Sequence, residues 1–295
     1  MKITFWGVRG SIPSPGAGTV RYGGNTTCIL VETDDGELII LDAGTGIFHL
    51  SQRLVKRLPV TCSIFLSHTH WDHIQGLPFF APFFMPNNRI DIYGAFSPVS
   101  EYSLKDILSR QMDYCYFPVR ESELEAHIVY TTLHERQTVE VGATKVTGIL
   151  MNHPILNFGY RIECGGKSVF FTGDYEPLYN IYRPGDEPYE EYETLISDKN
   201  SLLLDFIRGA DVLIADSAYT VKEYPLKKGW GHGTFDSCIS LAKEARVKSL
   251  YLSHHDPLRC DDELDAISRS LKGQLEASPD ALTCVIAHEG LEITL

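Results

Sequence analysis

The segment 67–73, with the sequence Ser-His-Thr-His-Trp-Asp-His, constrains the fold of this chain more than any other segment. It places three histidines and an aspartate within six residues, directly after the apolar run 63–66. A buried strand that ends in this cluster would present imidazoles and a carboxylate at its tip, and such groups are suitable ligands for zinc and related metals. The spacing therefore predicts a metal site at a strand end rather than a solvated, histidine-rich loop.

The composition is that of a globular protein with a full hydrophobic core. The chain has 295 residues, of which 43% are hydrophobic, and its formal net charge is −13. This acidic balance argues against a long nucleic acid as partner, because phosphate contacts need Lys and Arg. A small anionic substrate held by metal ions is compatible with it, since the overall charge is screened beyond about 10 Å.

The cysteines and the N-terminus indicate a reducing compartment. The seven cysteines form no Cys-x-x-Cys pair and their number is odd, which is typical of free thiols rather than of a disulfide framework. The first six residues form a predicted strand and lack the basic start and the apolar core of a signal peptide. No segment has 18 consecutive apolar residues, so we expect a cytoplasmic protein with no membrane partner.

Predicted strands and helices alternate along both halves of the chain. Apolar strand-like runs such as 61–66 are interleaved with segments of helical spacing, such as 47–58 and 198–208. A further helix is expected at 100–112, with Ser100 as its N-cap. This alternation favours an α+β fold in which two stacked sheets are covered by helices on the outside.

The chain shows no repeat, low-complexity block or linker, so we expect a single domain over residues 1–295. Two segments are predicted insertions, at about 77–119 and about 182–200. The first is rich in Phe, Tyr and Pro, and its aromatic residues, such as those at 114–117, either stack on a substrate ring or belong to the core. The second is acidic and polar, which is typical of a solvated surface segment.

Four more candidate ligands each follow a strand-like apolar run. These residues are Asp42, His153, Asp174 and His254. Strand ends at one edge of a layered fold are where functional groups converge. A single residue of this kind would more often be a hydrogen-bonded structural residue, but four of them together with the cluster at 67–73 predict a shared site.

Taken in order, these residues resemble the metallo-β-lactamase superfamily. The resemblance spans most of the chain, from residue 38 to about residue 257. It rests on motifs in the superfamily's order: Leu-Asp-Ala-Gly-Thr-Gly around Asp42, His-x-His-x-Asp-His at 68–73, then His153, Asp174 and His254. It implies a four-layer αββα sandwich with a two-metal site between the strand ends.

The resemblance also implies a role for each residue of the site. One metal would be held by His68, His70 and His153, and the other by Asp72, His73 and His254. Asp174 would bridge the two metals, and Asp42 would steady the first cluster by fixing an imidazole tautomer. His255 is a neighbouring candidate that we expect to face away from the site. Zinc is the default for the two divalent ions, with manganese or iron as alternatives.

A site of this kind predicts hydrolysis. Two divalent ions about 3.5–4 Å apart can share a hydroxide and lower the pKa of bound water to about 7, so no Ser or Cys nucleophile is needed. No Gly-x-Ser-x-Gly motif is present. Two divalent ions, the carboxylates of Asp72 and Asp174 and one hydroxide leave a net charge of about +1. That charge favours a mono-anionic group such as a phosphodiester.

The segment Gly-His-Gly-Thr at 231–234 lies one predicted helix before the last ligand. It resembles the Gly-His-Ser-Thr motif of the phosphodiesterase branch of the superfamily, which includes ribonuclease Z and small phosphodiesterases of carbon–phosphorus metabolism, although Gly233 replaces the Ser. The resemblance implies that His232 contacts the phosphate and helps to protonate the leaving oxygen. Asp72 is expected to steer the proton of the attacking water in addition to binding metal.

The spacing of the ligands bears on the size of the substrate. Only 20 residues separate His153 from Asp174, and they form two predicted strands and a Gly-Gly turn. Ribonuclease Z carries its tRNA-gripping arm at this position, so we expect no arm here and a small or cyclic phosphodiester, such as a cyclic nucleotide, as substrate. An RNA-processing endonuclease of the ribonuclease Z kind and a lactam or thioester hydrolase are the alternatives. A homodimer is left open.

Overall fold

Two seven-stranded sheets form the centre of the computed structural model, which describes residues 1–276 and 282–295. From edge to edge, the first sheet contains β14 (Glu292–Thr294), β1 (Lys2–Gly7), β2 (Cys28–Glu32), β3 (Leu38–Leu41), β4 (Thr61–Phe65), β5 (Arg89–Gly94) and β6 (His127–Thr132). The second contains β13 (Thr283–Ile286), β12 (Ser249–Ser253), β11 (Val212–Asp216), β10 (Lys167–Phe171), β9 (Asn157–Cys164), β8 (Thr144–Met151) and β7 (Thr138–Val141).

Both sheets are mixed, and each has a block of parallel strands. Strands β3 to β6 run parallel to one another, and so do β10 to β13. The other neighbouring pairs are antiparallel. Because the carboxyl ends of parallel strands meet at one edge of a sheet, residues that follow these strands are brought close together.

Helices cover the outer faces of both sheets. The helices of the described residues are α1 (Gly46–Leu54), α2 (Trp71–Ile74), α3 (Leu104–Gln111), α4 (Tyr189–Ile207), α5 (Phe235–Glu244) and α6 (Asp261–Glu276). Single 3₁₀ turns occur at Ala17–Thr19, Val55–Arg57, Leu77–Phe79, Ala81–Phe84, Glu121–Glu123 and Tyr224–Leu226. None of the described helices is both long and apolar enough to cross a membrane.

Strand β2 shows why its sequence is apolar at almost every position. Ile29 and Val31 point into the core between the two sheets, while Cys28 and Leu30 point into the core beneath the outer helices. Successive side chains of a strand face opposite sides of the sheet, so a strand covered on both faces needs apolar residues throughout.

Three hydrophobic cores separate the layers. The central core lies between the sheets and includes Phe5 and Leu41 from the first sheet and Phe158 and Val169 from the second, all at most 2% exposed. A second core joins the first sheet to α1 and α3, and a third joins the second sheet to α4, α5 and α6. The layer order is helix, sheet, sheet, helix, which confirms the αββα sandwich predicted from the sequence.

Two helices begin at other residues than the sequence predicts. Helix α4 starts at Tyr189 rather than near residue 198, and Glu190 and Glu191 in its first turn stabilise the positive end of the helix dipole. Helix α3 is capped by Ser103 rather than Ser100. The hydroxyl of Ser103 accepts a hydrogen bond from the backbone N–H of Asp106 at 3.2 Å, and the Asp106 carboxylate accepts one from the backbone N–H of Ser103 at 3.0 Å.

The two predicted insertions carry regular structure. Segment 77–119 contains β5, which pairs with β4 on one side and β6 on the other, and β6 itself has no counterpart in the sequence-based prediction. Segment 182–200 contains the first part of α4 and is largely exposed. Whether the whole chain is one domain with two insertions stays a prediction.

Candidate metal centre

The candidate ligands converge because the strands that precede them end at facing edges of the two sheets. Asp42 follows β3, His68 and His70 follow β4, Asp72 and His73 lie in α2, His153 follows β8, Asp174 follows β10 and His254 follows β12. Strands β8, β10 and β12 run in the same direction, since β9 is antiparallel to both β8 and β10. All seven residues expected to bind metal therefore lie in one place.

The first group of ligand atoms comes from His68, His70, His153 and Asp174. Nδ1 of His70 lies 2.9 Å from Nε2 of His68 and 3.1 Å from Nε2 of His153. Oδ2 of Asp174 lies 3.6 Å from Nε2 of His68 and 3.9 Å from Nε2 of His153. All four ligand atoms are within 4.8 Å of one another, a spacing that suits a single metal ion.

The second group comes from Asp72, His73, His254 and the other oxygen of Asp174. Oδ1 of Asp174 lies 3.1 Å from Nε2 of His73 and 3.0 Å from Nε2 of His254. Oδ2 of Asp72 lies 3.3 Å from each of the same two nitrogens. Asp174 thus presents one oxygen to each group, which is the arrangement expected of a carboxylate shared by two metals.

Two buried atoms at the centre of this cluster have no hydrogen-bond partner among the described residues. These are Nε2 of His73 and Oδ1 of Asp174. Buried polar groups are nearly always paired, so unpaired ones that face each other call for a ligand between them. Imidazole nitrogens and carboxylate oxygens are the donor set preferred by zinc, and manganese and iron also accept them. The residues therefore fit a divalent cation.

Asp42 and Ser67 support the cluster from behind. Asp42 is fully buried, and its Oδ2 lies 2.7 Å from Nδ1 of His73 and accepts a hydrogen bond from the Ser67 hydroxyl at 2.8 Å. Its Oδ1 accepts from the backbone N–H of Ser67 at 2.7 Å. Because the Asp42 carboxylate accepts a hydrogen bond from Nδ1 of His73, the ring proton is held on Nδ1. Nε2 of His73 is then free to act as a metal ligand.

The electrostatics of the cluster favour a positive charge at its centre. Burial opposes a charge on His73 and His254, but neighbouring carboxylates, above all Asp174, outweigh it and raise the pKa of both histidines well above the usual value. Burial likewise opposes a charge on Asp174, yet His254 and His73 hold its pKa well below the usual range. His68 differs, because burial lowers its pKa well below the ordinary value. A bound cation satisfies the same carboxylates without protonated histidines.

A third group contains Asp216, which sequence reasoning missed. Oδ2 of Asp216 lies 2.8 Å from Nδ1 of His232, and its Oδ1 lies 3.4 Å from Nδ1 of His254. His232 also lies 3.7 Å from Oδ2 of Asp174, and its side chain is 12% exposed. Burial disfavours protonation of His232, but Asp216 outweighs it and raises the pKa of this histidine. Asp216 ends β11, so the strand-end signal that identified Asp174 was available for it too.

The loop after β1 closes the site on one side. The backbone N–H of Ser11 donates to Oδ2 of Asp72 at 2.6 Å, and Ser11 has a positive φ of 62°. A Cβ on Gly10 would lie 2.3 Å from Cε1 of His254, so only glycine leaves room for this imidazole. Both contacts show that the N-terminal loop helps to fix the second group of ligands.

His255 lies apart from the three groups. It is fully buried, and its Nε2 lies 2.8 Å from the carbonyl oxygen of Ala287. Burial lowers its pKa to about 3, so it is neutral at physiological pH. Its contact is structural, since it ties the segment after β12 to the residue that follows β13.

The aromatic residues of segment 77–119 divide between core and surface. Phe80 and Phe83 are buried and pack edge to face at 5.3 Å, so they belong to the core. Phe79 is 55% exposed and packs against Phe117 at 5.3 Å, and Tyr116 is 74% exposed. Only the exposed aromatic residues of segment 77–119, such as Phe79 and Tyr116, can therefore stack on a substrate.

The fold and the cluster together define the class of hydrolases with a metallo-β-lactamase fold and a His/Asp site for divalent metal. A family model described as a beta-lactamase superfamily domain matches residues 38–255. This chain belongs to that superfamily, as its motifs indicate.

Ribonuclease Z enzymes are among its relatives. Ribonuclease Z of Thermoplasma acidophilum is 25% identical over 289 residues, which cover 87% of this chain and 87% of that protein. Ribonuclease Z of Picrophilus torridus is 26% identical over 282 residues, which cover 86% of this chain and 85% of that protein. The similarity extends over nearly the full length of both chains in each case.

Solved structures share the whole architecture. The metallo-β-lactamase fold protein YhfI of Bacillus subtilis has a TM-score of 0.66 at 19% identity and covers 99% of this chain and 98% of its own. The short form of human tRNase Z has a TM-score of 0.65 at 20% identity, and the match covers 100% of this chain and 99% of that one. A diphosphatase of the PhnP family has a TM-score of 0.64 at 18% identity, and the match covers 100% of this chain and 97% of that one. At these identities the similarity shows the fold.

Proposed function

We propose that this protein is a dinuclear metal-dependent phosphodiesterase that acts on a small or cyclic substrate, such as a cyclic nucleotide. The observation that carries the proposal is the pair formed by His232 and Asp216 at 2.8 Å, directly beside the shared carboxylate of Asp174. A histidine whose pKa is raised by a buried carboxylate is a ready proton donor near neutral pH. Cleavage of a phosphodiester needs such a donor for the departing alkoxide.

The two groups of ligands define how metals would be held. His68, His70 and His153 would bind one ion, Asp72, His73 and His254 would bind the other, and Asp174 would contact both. When bound, divalent cations of this kind supply Lewis-acid chemistry toward the phosphate and the attacking water. Zinc is the first choice for this donor set, and manganese or iron are further candidates.

His232 would place a proton on the leaving oxygen. Its Nδ1 is engaged by Asp216, so Nε2 is the nitrogen available to a substrate. The carboxylate stabilises the protonated ring and also holds the ring in one orientation. Both effects increase the fraction of His232 that is ready to donate at neutral pH.

Asp72 would orient the proton of the attacking water. Its Oδ2 accepts the backbone N–H of Ser11 at 2.6 Å, which fixes the carboxylate, and the side chain is 7% exposed. Burial opposes a charge on Asp72, but a positive charge at His73 lowers the pKa of this carboxylate far below the usual range. A cation bound by His73 would have the same effect, so Asp72 would stay ionised and able to accept a hydrogen bond.

The region between His153 and Asp174 supports a small substrate. Strands β9 and β10 occupy most of it and pair in register from Lys167–Cys164 to Phe171–Tyr160. A tight hairpin at this position leaves no length for an arm that grips a folded RNA. The net charge of −13 also disfavours a long polyanion.

A ribonuclease Z activity is the second candidate. The observation in its favour is the similarity to ribonuclease Z enzymes over 85% or more of both chains. A lactam or thioester hydrolase would use the same ligands but would have no need for the pair of His232 and Asp216.

A substrate panel on metal-loaded protein distinguishes these activities. It contains bis(p-nitrophenyl) phosphate, 2′,3′- and 3′,5′-cyclic nucleotides, a precursor tRNA and a lactam. We expect turnover of the small phosphodiesters, and a loss of about 10²-fold or more in kcat for the cyclic nucleotides in the His232→Gln variant. Cleavage of bis(p-nitrophenyl) phosphate should be much less affected, because p-nitrophenolate leaves without a proton. The matched control is His49→Gln, which changes an exposed histidine on α1. Full metal occupancy without cleavage of any phosphodiester would overturn the proposal, and cleavage of the precursor tRNA alone would favour the second candidate.

A further inference from the structure

A cationic and aromatic loop lies beside the candidate metal centre. We call it the lysine loop and define it as residues 220–231, between β11 and α5. Nζ of Lys227 lies 4.0 Å from the ring centroid of Trp230, and Nζ of Lys228 lies 3.8 Å from that of Tyr179. Neither ammonium group has a carboxylate within ion-pair distance among the described residues, although the chain carries a net charge of −13. Two lysines without acidic partners give this side of the site a local positive charge, which favours an anionic ligand.

The lysine loop is held in place by a buried carboxylate. Glu176 is 2% exposed, and its Oε1 accepts hydrogen bonds from the Tyr224 hydroxyl at 2.7 Å and the backbone N–H of Gly229 at 2.8 Å. Its Oε2 accepts from the backbone N–H of Gly231 at 2.9 Å. At the other end of the loop, Glu223 accepts from the backbone N–H of Thr220 at 2.7 Å. The loop is therefore preorganised, which lowers the entropic cost of binding.

The lysine loop also touches the candidate metal centre. The carbonyl oxygen of Gly231 lies 3.0 Å from Nδ1 of His153. The ring of Tyr219 lies 5.9 Å from the ring of His232 and 5.8 Å from Nζ of Lys227. A cavity of about 300 Å³ opens between the loop and the segment after β10, lined in part by His153, Tyr179, Gly229 and Gly231. Tyr219 contacts both His232 and Lys227, and Tyr179 lines the cavity and contacts Lys228. A ligand whose phosphate sits at the metal centre could therefore extend past these two rings to the lysines.

We infer that the lysine loop binds a second anionic group of a nucleotide substrate, in addition to the scissile phosphodiester. This inference rests on the proposed function and narrows its substrate class. Lysine ammonium groups bind phosphate as mobile point charges. Trp230 is 57% exposed and offers a flat surface on which a base can stack. The preferred substrate is then a nucleotide diester that carries a further phosphate, such as a 5′-phosphorylated dinucleotide.

A binding experiment tests this without relying on catalysis. Metal-loaded protein is titrated calorimetrically with adenosine 3′-monophosphate and with adenosine 3′,5′-bisphosphate, neither of which contains a phosphodiester. We expect the bisphosphate to bind about tenfold more tightly, and the preference to shrink with rising salt. The double variant Lys227→Gln, Lys228→Gln should bind the two ligands equally. The control Lys56→Gln, an exposed lysine outside the loop, should keep the preference.

A kinetic comparison then links the lysine loop to turnover. The dinucleotide ApA and its 5′-phosphorylated form pApA share the same scissile bond. In the wild type we expect KM for pApA to be about tenfold lower than KM for ApA at similar kcat, and we expect the double variant to lose this difference.

The binding and kinetic results distinguish failure of the anion-binding inference from failure of the proposed phosphodiesterase function. Equal binding of the two adenosine ligands by the wild type, binding of neither, or a preference that survives in the double variant would overturn the inference. A clear bisphosphate preference in a protein that cleaves no phosphodiester would overturn the proposed function and leave the anion site standing.

Discussion

Asp216 holds His232 through a contact of 2.8 Å between Oδ2 and Nδ1, and its other oxygen lies 3.4 Å from Nδ1 of His254. One buried carboxylate therefore connects the candidate proton donor to a candidate metal ligand. A change at Asp216 should alter the protonation of His232, because burial opposes a charge on this histidine and the Asp216 carboxylate is the main cause of its raised pKa.

The Asp216→Asn variant should shift the pH profile of kcat. The donor is the protonated form of His232, so activity falls as the pH rises above the pKa of this residue. Loss of the carboxylate lowers that pKa, and the alkaline limb should move to lower pH with a loss of about tenfold or more in kcat at about pH 8. Initial rates between about pH 5 and 9 measure it. The Asp91→Asn variant is the control, and a loss that is equal at every pH would contradict the assigned role.

The metal content of the protein should depend on which candidate ligand is substituted. We expect two ions per chain in the wild type, about one in His153→Ala, and weakened binding of both in Asp174→Ala, since Asp174 belongs to both groups. Elemental analysis after gel filtration gives the stoichiometry. Metal at about 100 times its Kd should also stabilise the fold by about 2.7 kcal/mol, which a thermal melt with and without chelator detects. An unchanged count in Asp174→Ala would remove this residue from the site.

The Asp42→Asn variant should weaken metal binding without unfolding the protein. Asparagine keeps the shape of the side chain but presents an amide N–H₂ or a weaker acceptor to Nδ1 of His73. Residues that support a ligand in this way typically contribute 10–100-fold in metal affinity or activity. Competition with a chromophoric chelator measures the affinity, and circular dichroism checks the fold. Wild-type affinity in this variant would show that Asp42 has only a structural function.

Glycine 10 provides a steric test of the position of His254. In Gly10→Ala the new Cβ would lie 2.3 Å from the His254 ring, so the imidazole must move and the second group of ligands is distorted. We expect a loss of about 10²-fold in activity, because small displacements at a reacting centre are costly. Gly16→Ala is the control, since a Cβ there meets nothing within 4 Å. Equal activity in both variants would mean that His254 is not held where the structure places it.

Much of the site was predictable because its residues follow apolar strands. The position of Asp174 after the run at 169–171 and of His254 after β12 is visible in the sequence, and parallel strands bring such positions to one edge. Asp216 carries a weaker form of the same signal, because it is the last residue of its strand rather than the residue after it. Glu176 had no signal at all, since its role depends on the distant lysine loop, where its partner Gly229 lies 53 residues later in the chain.

Other features depend on tertiary context. The first part of α4 is polar, with little apolar periodicity, and its helical state is favoured by Glu190 and Glu191 at its start and by the packing of Leu203 and Ile207 at its end. Strand β6 is only half buried, so its residues lack the apolar alternation that marks a strand in the sequence. The choice between Ser100 and Ser103 as the cap of α3 was decided by Asp106, which completes the reciprocal pair.

The site draws its ligands from distant parts of the polypeptide, beginning at His68 and ending at His254, on strands of both sheets. During synthesis on the ribosome, the early histidines emerge long before β12 exists. The first candidate group is complete once Asp174 has been synthesised, whereas the second group would lack one ligand until translation has passed residue 254. Occupancy of both groups would then mark a polypeptide whose two halves have docked, and a product terminated upstream of that residue should be recognisable by its failure to retain the second ion.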